Sequence, residues 1–341
     1  MLVGIILSYV TSEIVYFGFA PNYDFATRVS RTAFHGRFDH DVFKYRILSK
    51  YLLFETDESL RNIIPEKTRS NEFLHYIQDG SERFYYAYFF LNTFFLCLTC
   101  IIMVLLLRMK DYLFLSDREK WYFLFLSIIT INLSQFALYY YDISSYFFQL
   151  LILYIFIRYQ KEDYVLTMIA ICALIILSTI NRESSALSVS LIAALLIARF
   201  NLSVKAIYGV SLLGVTFIGT YLFLRYTIKD PLNISFGYLD AGHLLRRINI
   251  IGVAFWGLFL HLPIVTANSK ENRRVILLYH LLSLPYILYC FQYGVLWEVR
   301  LYIPLFITSF FISRLNPSYL KNAITPVASS YTPPTSTEES S

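Results

Sequence analysis

The sequence predicts an all-α, polytopic transmembrane helical bundle of about ten spans, with a large first outer loop that carries interfacial helices. First, 57% of the 341 residues are hydrophobic and only 16% are charged, whereas roughly 25% is usual in soluble domains. Second, apolar runs of spanning length recur along the chain, and in lipid such runs must be helical because backbone groups bond within their own segment. Third, the ionisable residues that interrupt these runs are unevenly placed.

The bounds of the spans follow the apolar runs. The predicted spans are 2–20, 85–107, 121–141, 143–157, 164–180, 184–198, 205–228, 248–267, 275–293 and 301–314. A single helix over 164–198 would be roughly 50 Å long, too long for a hydrocarbon core of about 30 Å. We therefore expect the chain to fold back at Asn181-Arg182-Glu183, and similarly near Asp142.

The orientation follows from the basic residues of the short loops. One side carries thirteen Lys and Arg residues and the other carries six. The positive-inside rule places the richer side, and both termini, in the cytoplasm. The transmembrane region then covers 1–321, the outer loop covers 21–84, and the Ser-, Thr- and Pro-rich tail 322–341 is expected to be a disordered cytoplasmic segment. The net charge of +5 reflects this bias, and no nucleic acid is expected as a partner.

The outer loop 21–84 contains a predicted amphipathic helix over 41–54. Its apolar residues Phe43, Ile47, Tyr51 and Phe54 recur at steps of three and four, which is typical of a helix lying on a membrane surface. Asp39 or Asp41 is the expected N-cap of this helix.

Charged and polar residues on the outer side indicate a functional site, because charge near hydrocarbon is costly. Arg182 and Glu183 lie at the tip of a hairpin between two short spans. Arg182 could bind a phosphate or pyrophosphate, and Glu183 could orient it or hydrogen-bond a sugar; the alternative is an internal salt bridge that pins the hairpin. Asp24, just after the first span, could be a general base or a helix cap. Asp39 and Asp41 flank His40 and could bind a metal or act as an acid/base pair, or could form a solvated turn.

The remaining candidates are substrate-binding residues on the same side. Arg46 could bind phosphate in bidentate fashion or snorkel toward headgroups. His243 could contact a diphosphate leaving group, or be an ordinary loop residue. Glu298 and Arg300 could face one cavity in an extended turn. The set is completed by Asn181 and by Asp142 as a secondary candidate.

These residues carry a resemblance to a family. The layout resembles that of type-C glycosyltransferases, polytopic enzymes with polyprenyl-phosphate-linked sugar donors, over roughly residues 1–315. Asp24 matches the acidic position at the start of the first outer loop, and helix 41–54 matches an interfacial helix. Tyr45-Arg46-x-Leu48, Asn181-Arg182-Glu183 and Glu298-x-Arg300 also look like elements of bacterial polytopic membrane proteins of similar layout.

The resemblance implies an inverting transferase at the non-cytoplasmic face, in a bacterial plasma membrane rather than the endoplasmic reticulum. Its expected partners are a polyprenyl-phosphate-linked sugar and a glycan or lipid acceptor, with Asp24 and Glu183 as catalytic residues. No cofactor is expected, and a divalent metal is not favoured because Asp24 has no acidic neighbour. The alternatives are a transporter or flippase for a lipid-linked or anionic solute, and a polysaccharide polymerase.

Overall fold

The structure is a computed structural model that describes residues 1–19, 30–38, 41–64, 82–114, 116–136, 139–160, 162–228, 247–293 and 298–321. Asp24, Asp39, His243 and the tail 322–341 lie outside these ranges. Asp41 lies within them as backbone, but its side chain is not described.

The described residues are helical and contain no β-strand; an isolated bridge joins Tyr112 to Leu315. The helices are α1 (Leu2–Glu13), α2 (Arg31–Phe38), α3 (Ile47–Ser59), α4 (Glu82–Leu107), α5 (Asp117–Leu133), α6 (Asp142–Tyr159), α7 (Tyr164–Asn181), α8 (Ala186–Phe200), α9 (Val204–Thr227), α10 (Arg247–Val265), α11 (Lys270–Leu282), α12 (Leu284–Tyr293), α13 (Ile303–Ser313) and α14 (Pro317–Lys321). A π-helical turn, Ile14–Phe19, extends α1. Short 3₁₀ turns cover Asp41–Tyr45, Ser134–Phe136, Glu183–Ser185 and Val299–Leu301.

Among the residues that the structure describes, four segments are long and apolar enough to cross a membrane: α4, α7, Glu183–Phe200 and α9. A fifth results if the bent pair α11 and α12 is one span. Three further apolar helices are shorter: Leu2–Gly18, Asn249–Val265 and Ile303–Ser313. Helix occupies part of each of the ten predicted ranges, but the count of about ten spans is not confirmed.

Helix α4 forms the centre of the bundle and α9 its edge. In α4, 67% of the apolar window is buried, and the helix packs against α1, α3 and α6. In α9 the buried share is only 17%. A Cβ at Gly209 of α9 would lie 2.6 Å from the Tyr164 hydroxyl oxygen, so the absence of a side chain there lets α9 approach α7 closely.

The predicted fold-back between α7 and α8 is present. Arg182 breaks the helix with extended backbone (φ −165°, ψ 138°), and the rings of Tyr164 at the start of α7 and Phe200 at the end of α8 lie 6.3 Å apart. The two helices therefore run antiparallel, with Arg182 and Glu183 at their shared tip.

The prediction of one amphipathic helix over 41–54 was wrong in its bounds and cap. A 3₁₀ turn covers Asp41–Tyr45, and α3 starts at Ile47 with Arg46 in the N-cap position and no side-chain cap. Ser49, Leu53 and Asp57 are buried, whereas Ile47 and Tyr51 of the predicted stripe are exposed. The reason is that α3 packs against α4 and α7 through a partly polar face.

The predicted span 275–293 is bent. Helices α11 and α12 meet at an angle of 54° around Ser283. Pro285 follows at once; it lacks an N–H and its ring collides with the carbonyl of the preceding turn, so a straight helix cannot continue through it.

Candidate functional site

Several helix termini meet at one end of the bundle, here named the Asp142 end. Asp142 is the first residue of α6, Asn181 is the last of α7, and Arg182 and Glu183 lead into α8. Arg46 precedes α3, and Arg300 lies in the turn before α13. The helix ends and the short turns next to them thus bring polar residues from distant parts of the sequence together.

Asp142 is the centre of a buried ionic cluster. Its Oδ1 accepts a hydrogen bond from Arg182 Nη1 at 2.5 Å, and its Oδ2 accepts from Arg300 Nη1 at 2.9 Å. Arg300 Nε also donates to Glu298 Oε2 at 2.8 Å. The Asp142 side chain is 0% exposed, and its position in the first turn of α6 adds the favourable field of a helix N-terminus. We name these four residues the Asp142 cluster.

A second ion pair joins α3 to the α7–α8 tip. Arg46 donates to both carboxylate oxygens of Glu183, with Nε at 3.1 Å from Oε2 and Nη2 bonded to Oε1. Burial by itself would lower the pKa of Arg46, but the Glu183 carboxylate and neighbouring tyrosines raise it above its ordinary value. The guanidinium is therefore held charged, in the bidentate geometry that suits carboxylates and phosphates.

Tyrosine rings connect the two ionic groups. The Arg46 Cζ lies 3.9 Å from the centre of the Tyr141 ring, and the Arg182 Cζ lies 5.2 Å from the same ring. The Arg300 Cζ lies 3.8 Å from the centre of the Tyr139 ring. These cation–π contacts stabilise cations whose side chains are largely buried.

Asn181 fixes the position of the α7 end against two other helices. Its Oδ1 accepts hydrogen bonds from Ser144 Oγ of α6 at 2.9 Å and from Ser49 Oγ of α3. Its Nδ2 donates to the Tyr141 carbonyl at 3.5 Å. Asn181 therefore positions the adjacent Arg182 and Glu183 by joining α3, α6 and α7.

Replacement of Asn181 with alanine is expected to lower the free energy of unfolding by about 1–3 kcal/mol, because the buried Ser49 and Ser144 hydroxyls each lose the hydrogen bond to its Oδ1. The contacts that they keep are longer than normal for hydroxyls: 3.1 Å from Ser144 to the Tyr141 carbonyl and 3.3 Å between the two serines. The thermal unfolding midpoint of the purified protein measures this change. The exposed Asn62, replaced in the same way, is the matched control and should leave the midpoint unchanged. Equal unfolding midpoints for the Asn181 and Asn62 variants would contradict the role of Asn181 in joining α3, α6 and α7.

The six ion-paired residues of the Asp142 end carry three charges of each sign, but their side chains are not equally exposed. Arg46, Arg182 and Arg300 face Asp142, Glu183 and Glu298. The Glu183 side chain is 31% exposed, whereas no other side chain of these six exceeds 11%. Glu183 therefore makes the Arg46–Glu183 pair the most accessible part of the site, although the Arg46 side chain itself is only 6% exposed, and the Asp142 cluster is buried.

The sequence analysis identified the charged members of this site but missed the tyrosines and serines that hold them. Tyr139 and Tyr141 were not singled out, although the run Tyr139-Tyr140-Tyr141 directly before Asp142 is a visible signal. Ser49 and Ser144 carry no such signal, because a lone serine in an apolar helix is common.

Within the described residues, no three His, Cys, Asp or Glu side chains come together as metal ligands. The proposed roles of Asp24, Asp39 and His243, which lie outside those residues, stay predictions. Asp41 also stays a prediction; its backbone lies in the turn that leads to Arg46.

A groove of about 700 Å³ opens at the opposite end of the bundle. Its lining is mainly aliphatic and includes Leu202, Leu277 and Leu281, with Glu271 and Arg274 as its charged members. Asn201, at the end of α8 away from Glu183, also lines it, so the groove is separate from the Asp142 end.

Comparisons with protein-family models, with curated proteins and with solved structures find no match to this chain.

Proposed function

We propose that the protein is an inverting membrane glycosyltransferase that moves a sugar from a polyprenyl-phosphate donor to an acceptor hydroxyl. The observation that carries the proposal is the Arg46–Glu183 pair: a part-exposed bidentate ion pair, supported from below by the buried Asp142 cluster. Such a site offers positive charge for a phosphate and a carboxylate for a sugar hydroxyl, held rigidly by several helices.

The proposed reaction needs one base and one cationic site for the leaving group. The acceptor oxygen attacks the anomeric carbon while its proton passes to Asp24. The bond between the anomeric carbon and the phosphate oxygen breaks, and polyprenyl phosphate leaves with the electron pair. Arg46 binds that phosphate, and Glu183 orients Arg46 and hydrogen-bonds the sugar.

The other residues have supporting roles in the proposal. Asp142, Arg182, Glu298 and Arg300 pair with one another and act in the proposal by positioning Arg46 and Glu183. Asn181 does the same through its hydrogen bonds. His243 is assigned to the leaving group from the sequence alone.

The proposed orientation places the Asp142 end on the non-cytoplasmic side of a bacterial plasma membrane, with both termini in the cytoplasm. The basic residues at the opposite end support it. They include Arg158 and Arg199 at the ends of α6 and α8, and Arg273 and Arg274 in the first turns of α11.

A transporter or flippase for a lipid-linked or anionic solute is the second candidate, and a specific observation favours it. Polar side chains continue from the Asp142 end into the bundle: the Tyr146 hydroxyl donates to the Arg300 carbonyl at 3.0 Å, and Gln149 Nε2 donates to the Tyr279 hydroxyl at 2.8 Å. Buried polar residues between helices are typical of solute pathways.

Turnover by the purified protein in liposomes distinguishes the two candidates. We expect transfer of sugar from a polyprenyl-phosphate donor to an acceptor, with one polyprenyl phosphate released per sugar transferred. Movement of donor or solute across the bilayer without transfer, over a broad panel of donors, would reject the transferase and support the transporter.

Arg46→Lys is expected to lower kcat/KM about tenfold, because lysine keeps the charge but loses the two-point contact, a difference of about 1.4 kcal/mol. Initial rates of sugar transfer measure this effect. Arg61→Lys is the matched control, since Arg61 is an exposed arginine shortly after α3 whose partner Glu58 lies on the surface. An unchanged rate for Arg46→Lys would remove Arg46 from the proposed site.

A further inference from the structure

Arg225, near the end of α9, is a cation whose contacts differ from those of the other arginines at the Asp142 end. Its Nη2 donates to the Tyr221 hydroxyl at 2.8 Å and its Nη1 to the Tyr45 hydroxyl at 3.3 Å. Its Cζ lies 4.1 Å from the centre of the Tyr45 ring. Within the described part of the chain, no carboxylate pairs with it. Two phenols therefore orient a guanidinium whose charge no described carboxylate neutralises.

The donor capacity of Arg225 is not used up by these contacts. Its Nε is buried and has no hydrogen-bond partner among the described residues. A buried donor without an acceptor is costly, so an acceptor supplied by a ligand would be favourable. The Tyr221 hydroxyl, which accepts from Arg225, also retains a proton that it can donate to an anion.

Arg225 lies beside the accessible part of the candidate site. Tyr45, which contacts it, directly precedes Arg46. The Tyr289 phenol is 47% exposed and lies within electrostatic range of Glu183, Arg46 and Arg225. The Arg46–Glu183 pair and Arg225 thus lie close to one another, with Tyr45 and Tyr289 near both.

The surroundings of Arg225 on α9 are those of a lipid-facing surface. Phe223 and Tyr226 are 66% and 86% exposed, and α9 is the least buried of the four candidate spans. An arginine on such a helix could simply snorkel toward headgroups. A snorkelling side chain extends into water, however, whereas Arg225 is half-buried and is held by two hydroxyls.

We propose that Arg225, with the Tyr221 hydroxyl, binds the phosphate of a lipid that enters the site laterally along α9. The chemistry recognised is an anionic phosphate group, which a lipid phosphate and a soluble phosphate share. The inference rests on the proposed function only in identifying that lipid with the sugar donor; the phosphate site itself stands on the contacts of Arg225.

Binding of dodecyl phosphate to the full-length protein in detergent micelles tests the proposal. We expect saturable binding, seen as a rise in the thermal unfolding midpoint with added ligand, and an affinity about tenfold or more weaker for Arg225→Gln. Arg225→Lys, which keeps the charge, should fall between the two. Arg274→Gln is the matched control, because Arg274 is an exposed arginine at the opposite end with no described ion-pair partner.

Inorganic phosphate forms the second arm and identifies the source of the anion. Binding of inorganic phosphate as tight as that of dodecyl phosphate would overturn the lipid part of the proposal. Equal affinities of wild type and Arg225→Gln, or an equal loss in Arg274→Gln, would overturn the site. The experiment measures binding, so failure of the phosphate site can be told apart from failure of the proposed function. If dodecyl phosphate binds through Arg225 but no sugar is transferred, the proposed transferase activity is rejected and the phosphate site is kept.

Discussion

Replacement of Asp142 with alanine is expected to lower the free energy of unfolding by about 3–5 kcal/mol, because removing one partner of a buried ion pair leaves uncompensated charge. Asp142 is fully buried and lies between two guanidinium groups, at 2.5 Å from Arg182 and 2.9 Å from Arg300. Its loss would leave the buried Arg182 without its described ionic partner and would remove one of the two carboxylates that pair with Arg300. Reversible unfolding of the purified protein in mixed micelles measures the change.

The control for this variant is Asp117→Ala. Asp117 also lies in the first turn of a helix and also pairs with a basic residue, Lys120 at 2.9 Å, but its side chain is 88% exposed. Water replaces such a partner at little cost, so the control should unfold as the wild type does. If both variants were equally stable, the Asp142 cluster would not support the bundle.

A double variant separates lost charge balance from lost packing. Asp142→Leu combined with Arg182→Met removes one charge of each sign and keeps the Arg300–Glu298 pair. We expect it to be more stable than Asp142→Leu alone, because apolar side chains of similar volume can replace a buried ion pair. Additive losses from the two substitutions would show that the residues do not interact.

Asp24→Asn is expected to reduce sugar transfer by about 10²–10⁴-fold while leaving the protein folded, since an amide cannot accept the proton of the acceptor hydroxyl. Phe34, which follows Asp24 in the sequence, lies near the site: the centre of its ring is 5.1 Å from the centre of the Tyr140 ring, and Tyr140 is two residues before Asp142. Transfer rates with saturating donor measure the effect.

Asp39→Asn and Asp41→Asn serve as the matched variants for Asp24→Asn, because the three carboxylates share the first predicted outer loop. Loss of transfer in one of these two, with Asp24→Asn active, would move the role of base to that residue. Full activity in all three variants would reject a carboxylate base in this segment.

The helices were predictable because their signal is local. Apolar runs bounded by polar residues gave α4, α7 and α9 nearly to the residue, and the length limit of a bilayer predicted the break at Arg182. The bend at Ser283 had an equally local signal, Pro285, although the predicted span 275–293 was continuous through it. The start of α3 at Ile47 had no local signal in the sequence. It depends on the non-helical backbone of Arg46, whose side chain bonds Glu183, a residue distant in the sequence.

The pairing of the site residues could not be predicted, because it depends on contacts distant in sequence. Arg182 and Glu183 are neighbours and suggested one ion pair, yet Arg182 bonds Asp142 and Glu183 bonds Arg46. Glu298 and Arg300 do pair, through the 3₁₀ turn between them. A role for Arg225 could not be predicted from the sequence, because its partners are the phenols of Tyr45 and Tyr221 rather than carboxylates.

The sequence separation within the Asp142 cluster has a consequence for biosynthesis. Asp142 and Arg182 are 40 residues apart, but Arg300 follows Asp142 by 158 residues. At ribosomal speeds of about 5–20 residues per second, the carboxylate therefore waits on the order of ten seconds or longer for its second partner. During that interval the nascent chain holds a half-assembled polar centre beside the bilayer. Premature termination before residue 300 should consequently yield a product that quality-control proteases remove, even though most of its helices are complete.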